Sequence, residues 1–449
     1  MESFIHHIEW CVKDLEKTVN LLIDKYGFYL ISERHSYKQP SEGKNFMDNN
    51  VYQKVVKSGS TVFILTQNNS TNISDVSLKW SAGYPILTCC CRKEDHVRNT
   101  VFNVCLEVKD VDAATERAVK YSFNYGSVRV ILIPPTTIEY GSKCKLRYSV
   151  VRSICGNIIH TLINTKEYRY QDAPFLPGFI DVHINGYSNA HPHNDINNTL
   201  TSFIDHVTYV CKIGESKSIL QWYQNCFGME RFLIGREEML DDDGIEIGEE
   251  VGMRLTVGEW ISSWMCREEG VKFNSSQCSA DSLNFKLVLA EPLEGNQGSH
   301  VQQFMDEHGG PGIQHIGLTV RKDISKAVLI MTQSGAEFRK PPPTYYQLKN
   351  KKHEIEEANE SVSQFERLGL LVDSEVDFCN GSGNITSKQY TNILIQIFTK
   401  PLFEQNTFFL EVLERRGARG FGAGNITALA KSIILQQKHE NNSTSRLTK

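Results

Sequence analysis

At 449 residues the chain is too long for one compact core, so two or more domains are expected. A formal net charge of -5 leaves no basic footprint for nucleic acid, and no apolar run approaches the ~20 residues of a membrane-spanning helix. Twelve cysteines, three of them consecutive at Cys89, Cys90 and Cys91, match neither a common zinc spacing nor a disulfide framework.

The first predicted strand is FIHHIEWCV at 4–12, followed by a helical stretch, LEKTVNLLIDKYGF, that ends in an aromatic residue and glycine. The N-terminus MESFIHHIEW reads as neither a secretory signal nor a transit peptide. FNVCLEVKDVDAATERAVK at 102–120 gives a strand, a turn with Asp, and an amphipathic helix. The polar, turn-rich string NGYSNAHPHNDINNT at 185–199 reads as a linker. His191 and His193 within it, and His183 just before it, are read as linker histidines rather than metal ligands.

Then both patterns return. FIDHVTYVC at 203–211 repeats the first string, with His206 on His7, and SKSILQWYQNCFGM supplies its helix. IQHIGLTVRKDISKAVLIM at 313–331 repeats the second. Strand, helix and several further strands therefore recur four times, starting near 4, 102, 203 and 313. KNKKHEIEEANE at 349–360 is expected as a solvated helix, and 373–392 as a surface insertion. ILIQIFTK and FFLEVLE form a hairpin across KPLFEQN. Centred between Phe403 and Glu404, it puts Gln396 opposite Glu411. GFGAGN follows no βαβ start and is not a dinucleotide fingerprint. A last helix starts near Asn425, with Leu429 and Ile433 on one face. Asn425 can cap it, line a pocket, or do both.

The chemistry-bearing residues lie on predicted strands, where positions two apart share a face. His206 then shares its face with Ile204, Thr208 and Val210, and Glu411 shares its face with Phe409 and Leu413. A carboxylate in such an apolar run is costly to bury unless paired or metal-bound. His206, His315 and Glu411, spaced 109 and 96 residues apart, are the donor set of a facial triad. Such a triad holds Fe(II) and leaves positions open for O2 and substrate. The first half offers His7, Cys105 and Thr161 at the corresponding places, a poor iron set. Chemistry is therefore assigned to a C-terminal unit, 200–437, and a structural role to an N-terminal unit, 1–180.

The strings FIDHV, GGPGIQHIGL, PPPTYY, LLVD, LIQIFTKPL and TFFLEVLERRGARGFGAGN are collinear with, and similar to, those of the 4-hydroxyphenylpyruvate dioxygenase family. Within it, GPGIQHIGL, FTKPLFEQNTFFLEV and GARGFGAGNITAL most resemble the branch of dioxygenase-like proteins. The resemblance implies an α+β vicinal-oxygen-chelate fold, with four βαβββ modules in two half-open barrels and a terminal lid helix. It implies Fe(II) on His206, His315 and Glu411, with an aromatic 2-oxoacid and O2 as reactants. Gln396, Phe398, Phe409, Phe421, Asn425 and Ile426 are implied as substrate contacts. Oxidative decarboxylation followed by ring hydroxylation gives homogentisate; benzylic hydroxylation gives 4-hydroxymandelate. Ile426 stands where ring-hydroxylating relatives carry Phe, which favours 4-hydroxymandelate. VLAEP departs from the family string at Val288 and Ala290, and His300 replaces a usual Gln. These departures leave open a homogentisate-forming enzyme, or a binding or regulatory relative without turnover. The resemblance also implies mitochondria, with the cytoplasm as the alternative, and it leaves a homodimer open.

Overall fold

A computed structural model describes residues 5–35, 51–68, 99–122, 130–169, 171–182, 200–234, 243–247, 251–260, 285–295, 299–320, 323–376 and 391–422, with short pieces of 77–97 and 424–432. Four copies of one unit, βαβββ, account for most of them. The first comprises β1 (Ile5–Cys11), α1 (Leu15–Tyr26), β2 (Tyr29–His35), β3 (Val51–Ser58) and β4 (Thr61–Asn68). The second comprises β5 (Thr100–Glu107), α2 (Val111–Ser122), β6 (Ile131–Tyr140), β7 (Cys144–Arg152) and β8 (Ile159–Asn164), followed by the short β9 (Ile180–Asp181). The third comprises β10 (Phe203–Val210), α3 (Ser216–Phe227), β11 (Glu230–Phe232), β12 (Ile245–Ile247), β13 (Met253–Glu259) and β14 (Lys286–Pro292). After α4 (His300–His308), the fourth comprises β15 (Gly312–Thr319), α5 (Ile324–Gln333), β16 (Leu371–Val376), β17 (Thr391–Phe398) and β18 (Phe409–Arg416). Three short helices, α6 (Thr344–Gln347), α7 (Lys349–Glu357) and α8 (Val362–Leu368), lie between α5 and β16.

The modules join in pairs. The first sheet runs β6-β7-β8-β5-β1-β4-β3-β2-β9, the second β11-β13-β14-β10-β15-β18-β17-β16, with β12 on β13. In every module the first and last strands are parallel neighbours, and the two first strands of a pair meet antiparallel at the centre. The α+β fold with two curled sheets agrees with the expected architecture. Local chemistry explains the repeated helix. Asp14 caps α1 by accepting from the Lys17 amide at 3.0 Å, and Gly27 ends it at φ +72°. Gly228 ends α3 at φ +67°. Both are left-handed closures that a side chain disfavours.

Each sheet has two apolar faces. The outer faces, with Ile8, Trp10 and Leu106 from one sheet and Val207, Tyr209 and Leu318 from the other, share a single core with the helices. Buried polar bonds tie the halves across it. Trp222 Nε1 donates to Ser122 Oγ at 2.8 Å, and the Tyr223 hydroxyl donates to His160 Nε2 at 2.7 Å. The inner faces carry separate clusters, one around Phe102, Leu146 and Tyr148, the other around Phe232, Leu255 and Val288. Polar side chains that face inward therefore sit inside a barrel rather than in the shared core.

Three expectations are corrected. The hairpin pairs Phe398, not Gln396, with Glu411, and Gln396 with Leu413. Its loop is longer than a tight turn: Leu402 N bonds Phe408 O at 2.8 Å while Phe403 and Phe408 stack. The two-residue slip keeps every side chain on its expected face. Second, Ile204 does not share the face of His206. The pairing shifts between Ile204 and His206, so Asp205 is an extra, bulged residue and Ile204 joins the outer core. Third, the first-half counterpart of His315 is Asn103. His315 pairs with Thr208 and Phe409, and Asn103 with Glu9 and Ile159; Cys105 falls on Gly317. Thr161 does stand where Glu411 stands. Helix α7 is solvated as expected except at Ile355 and Lys351, whose Nζ is buried on Glu354 and on the Val372 carbonyl. The linker histidines, most of the 373–392 insertion and Ile426 lie outside the described residues.

Candidate metal centre

His206, His315 and Glu411 come together on three adjacent central strands, β10, β15 and β18, facing into the second barrel. Their ligand atoms all lie within 4.8 Å of one another. Glu411 Oε2 is 3.2 Å from His206 Nε2 and 3.6 Å from His315 Nε2. His206 and Glu411 are buried, and His315 is partly open.

Two β-bulges aim the imidazoles. The extra residue on β10 is Asp205; on β15 the shift between Thr208 and Tyr209 makes Gln314 the extra residue. Each bulge brings a polar side chain beside the following histidine. His206 Nδ1 donates to Asp205 Oδ1 at 2.8 Å, and His315 Nδ1 donates to Gln314 Oε1 at 3.2 Å. Both Nδ1 atoms are thus engaged, and both Nε2 atoms converge on Glu411. Outer partners of this kind fix ring orientation and tautomer in metal sites. Gly317, directly across from His206, completes the fit: a Cβ there would lie 2.3 Å from His206 Cε1.

Asp205 is itself anchored. Arg415 grips it through two bonds, Nε to Oδ2 at 2.7 Å and Nη2 to Oδ1 at 2.8 Å. Burial would raise the Asp205 carboxyl, but the guanidinium outweighs it and holds the group well below its ordinary value. Burial likewise pulls on His206; the Glu411 and Asp205 carboxylates reverse the sign and raise it to about 9. His315 is pushed well down, by burial first and by the charge of His206 second. The raised value keeps a proton on His206, which faces Glu411 where the triad converges. Two neutral-capable imidazoles, a carboxylate and outer-shell acceptors fit Fe(II).

The aromatic candidates surround this centre. Phe409 stacks on His315 with centroids 4.8 Å apart, Phe398 meets the same ring edge-on at 6.4 Å, and Phe421 meets His206 at 5.5 Å. Gln396 is buried behind them with Oε1 lacking a partner among the described residues, as does Asn425 Nδ2. Asn425 Oδ1 accepts from the Tyr345 hydroxyl at 2.7 Å, so the residue locks the last helix onto α6. Val288 and Ala290 are buried in the inner-face cluster. His300 opens to solvent at the first turn of α4, yet surrounding protein and then Arg339 push its imidazole down to about 4.

Sequence reasoning missed Asp205, Gln314, Arg415, Arg339 and Lys286, and put Thr208 on the His206 face without giving it a role. Thr208 lies across from His315 and hydrogen-bonds its Nε2 at 2.9 Å. Arg339 covers Phe409 at 4.8 Å. Lys286, opposite His206, is buried, and that burial lowers it to about 8.

No family model matches the chain. Curated relatives do. A 4-hydroxyphenylpyruvate dioxygenase-like protein of Rattus norvegicus is 32% identical over 333 residues, 74% of this chain and 76% of that one. The like-named protein of Homo sapiens is 31% identical over 340 residues, 75% of this chain and 78% of its own. The chain belongs to the 4-hydroxyphenylpyruvate dioxygenase family. The 4-hydroxyphenylpyruvate dioxygenase of Xenopus tropicalis extends the match to 98% of this chain and 92% of its own, at 26% identity. Among solved structures, a triple mutant of 4-hydroxymandelate synthase from Streptomyces coelicolor superposes with a TM-score of 0.62, covering 97% of this chain and 99% of that one at 20% identity. That likeness establishes the shared vicinal-oxygen-chelate fold. Family members are non-haem iron dioxygenases. No helix among the described residues is long and apolar enough to cross a membrane.

Proposed function

We propose that this chain holds Fe(II) on His206, His315 and Glu411 and oxidatively decarboxylates 4-hydroxyphenylpyruvate with O2. One observation carries the reading: both imidazole Nε2 atoms face one Glu411 oxygen while both Nδ1 atoms are turned outward onto Asp205 and Gln314. Bound iron would supply the redox chemistry that couples O2 to loss of CO2.

The protein's own groups do the rest. Arg339, at the rim over Phe409, attracts an anionic 2-oxoacid toward the barrel. Phe398, Phe409 and Phe421 form an apolar wall against which an aryl ring packs, excluding water. Gln396 Oε1 and Asn425 Nδ2, without a partner among the described residues, offer an acceptor and a donor to a phenolic hydroxyl. An unpaired buried polar atom costs about 1–3 kcal/mol, which a substrate hydroxyl recovers on binding.

For the product we favour 4-hydroxymandelate. Ile426 follows the substrate-facing Asn425 and is smaller than Phe, and Val288 and Ala290 remove polar groups that would hold the ring. A ring free to tilt presents its benzylic carbon, and about 1 Å of displacement can change rates about 100-fold. Homogentisate is the alternative, and a binding relative without turnover the second. Incubating iron-loaded protein with 4-hydroxyphenylpyruvate and following O2 uptake and products separates all three. Mandelate supports the full reading, homogentisate overturns only the regiochemistry, and no O2 uptake overturns catalysis.

A further inference from the structure

The first barrel repeats both bulges of the second. On β1 the pairing shifts between Ile5 and His7, making His6 the extra residue, as Asp205 is on β10. On β5 the shift between Glu9 and Trp10 makes Phe102 the extra residue, as Gln314 is on β15. The scaffold that aims two histidines in one half is therefore intact in the other, with different side chains on it.

Those side chains form a second donor set. The bulge turns His6 beside His7, with their Nδ1 atoms 2.7 Å apart. Cys105 is the direct cross-strand partner of His7, a pairing that brings side chains to contact. Ligand atoms of His6, His7 and Cys105 all lie within 4.8 Å of one another, the same limit the iron triad meets. Cys105 occupies the position of Gly317, which in the second barrel lies bare under the His206 ring. His7 also has an outer partner. Glu9 Oε1 lies 3.3 Å from His7 Nε2 and accepts from Asn103 Nδ2 at 2.8 Å, and the same Nδ2 donates to Thr161 Oγ1 at 2.8 Å. Asn103 and Thr161, the counterparts of His315 and Glu411, thus serve to fix Glu9. The carboxylate in turn leaves His7 Nδ1 turned to His6. His7 and Cys105 are fully buried, and Phe175 packs against both imidazoles with centroids 5.6 and 6.1 Å away.

We propose that His6, His7 and Cys105 form a second metal site, in the first barrel, that binds Zn(II). Two imidazoles and a thiolate are the donors of a borderline-soft cation, whereas the carboxylate-containing triad suits iron. Three protein donors leave a fourth tetrahedral position for water or a small ligand. Lys57 lies within charge range of His6, and the thiolate offsets it. The assignment stands independently of the iron reading.

Cobalt(II), titrated into the reduced full-length protein as a spectroscopic stand-in for zinc, tests it. The iron triad has no sulfur, so a thiolate-to-cobalt charge-transfer band distinguishes the second site from the triad, and Cys105→Ser assigns it. The band is expected to saturate within about two equivalents in the wild type, whose triad also takes cobalt, at about one in His315→Ala, and to be lost in Cys105→Ser. His6→Gln, which spares the core, should weaken zinc binding at least about tenfold, the scale of an outer-partner loss. No band in the wild type, an undiminished band in Cys105→Ser, or unchanged zinc affinity in His6→Gln would overturn the site.

Discussion

Gly317 lies directly across β10 from His206, and a Cβ on it would stand 2.3 Å from the imidazole Cε1 and 2.4 Å from Nδ1. Glycine in a central strand marks such close approach. Gly317→Ala should therefore displace the His206 ring. The expected result is loss of iron retention with circular dichroism unchanged. Full iron content in this variant would show that the ring does not need that space.

Asp205→Asn should loosen His206 without removing a ligand. Loss of an outer-shell partner typically costs 10–100-fold in metal affinity, and an iron-competition titration reads that range. An unchanged affinity would make Asp205 merely structural.

Arg415→Leu strands a buried carboxylate. Breaking a buried pair costs about 3–5 kcal/mol, and Arg415 and Asp205 side chains are 3% and 1% exposed. The sign with pH follows from the depressed Asp205. In the wild type its contribution is present above the unfolded value of about 4 and fades as pH falls below it. In Arg415→Leu, burial dominates, so stability should instead fall as pH rises from 4 to 7. Denaturant melts of both proteins across that range distinguish the slopes.

Iron binding should release a proton. The apoprotein His206 is raised to about 9, so below that pH the cation must displace its proton. Apparent Fe(II) affinity should then rise roughly tenfold per pH unit between about pH 6 and 8. A flat profile would place the proton elsewhere.

Ile426→Phe should move flux from 4-hydroxymandelate toward homogentisate, or uncouple O2 uptake from product. Chromatography of the products reads the ratio; an unaltered ratio would remove Ile426 from the choice.

Much of this was legible in the sequence because a period of two survives most errors. The hairpin slipped by two residues, yet Gln396 and Phe398 still faced inward. Cys105 was placed two residues from the counterpart of His315, and still on the inner face. What alternation could not show is the bulge. Asp205 and Gln314 precede their histidines and read as outward residues; only a one-residue break in pairing turns them inward. Arg415, in a run with Arg416 and Arg419, looks like a solvated basic string until its buried partner 210 residues away is seen. Lys286 is hidden likewise, an inward lysine on a strand whose neighbours are apolar.

The most direct test of the iron site is metal content set beside turnover in three full-length proteins: wild type, His315→Ala and His7→Ala. After anaerobic Fe(II) loading and desalting, the wild type and His7→Ala should each retain one iron and consume O2 with 4-hydroxyphenylpyruvate, while His315→Ala retains none and consumes none. Stoichiometric iron in His315→Ala, or its loss from a folded His7→Ala, would contradict the assignment of iron to the second barrel.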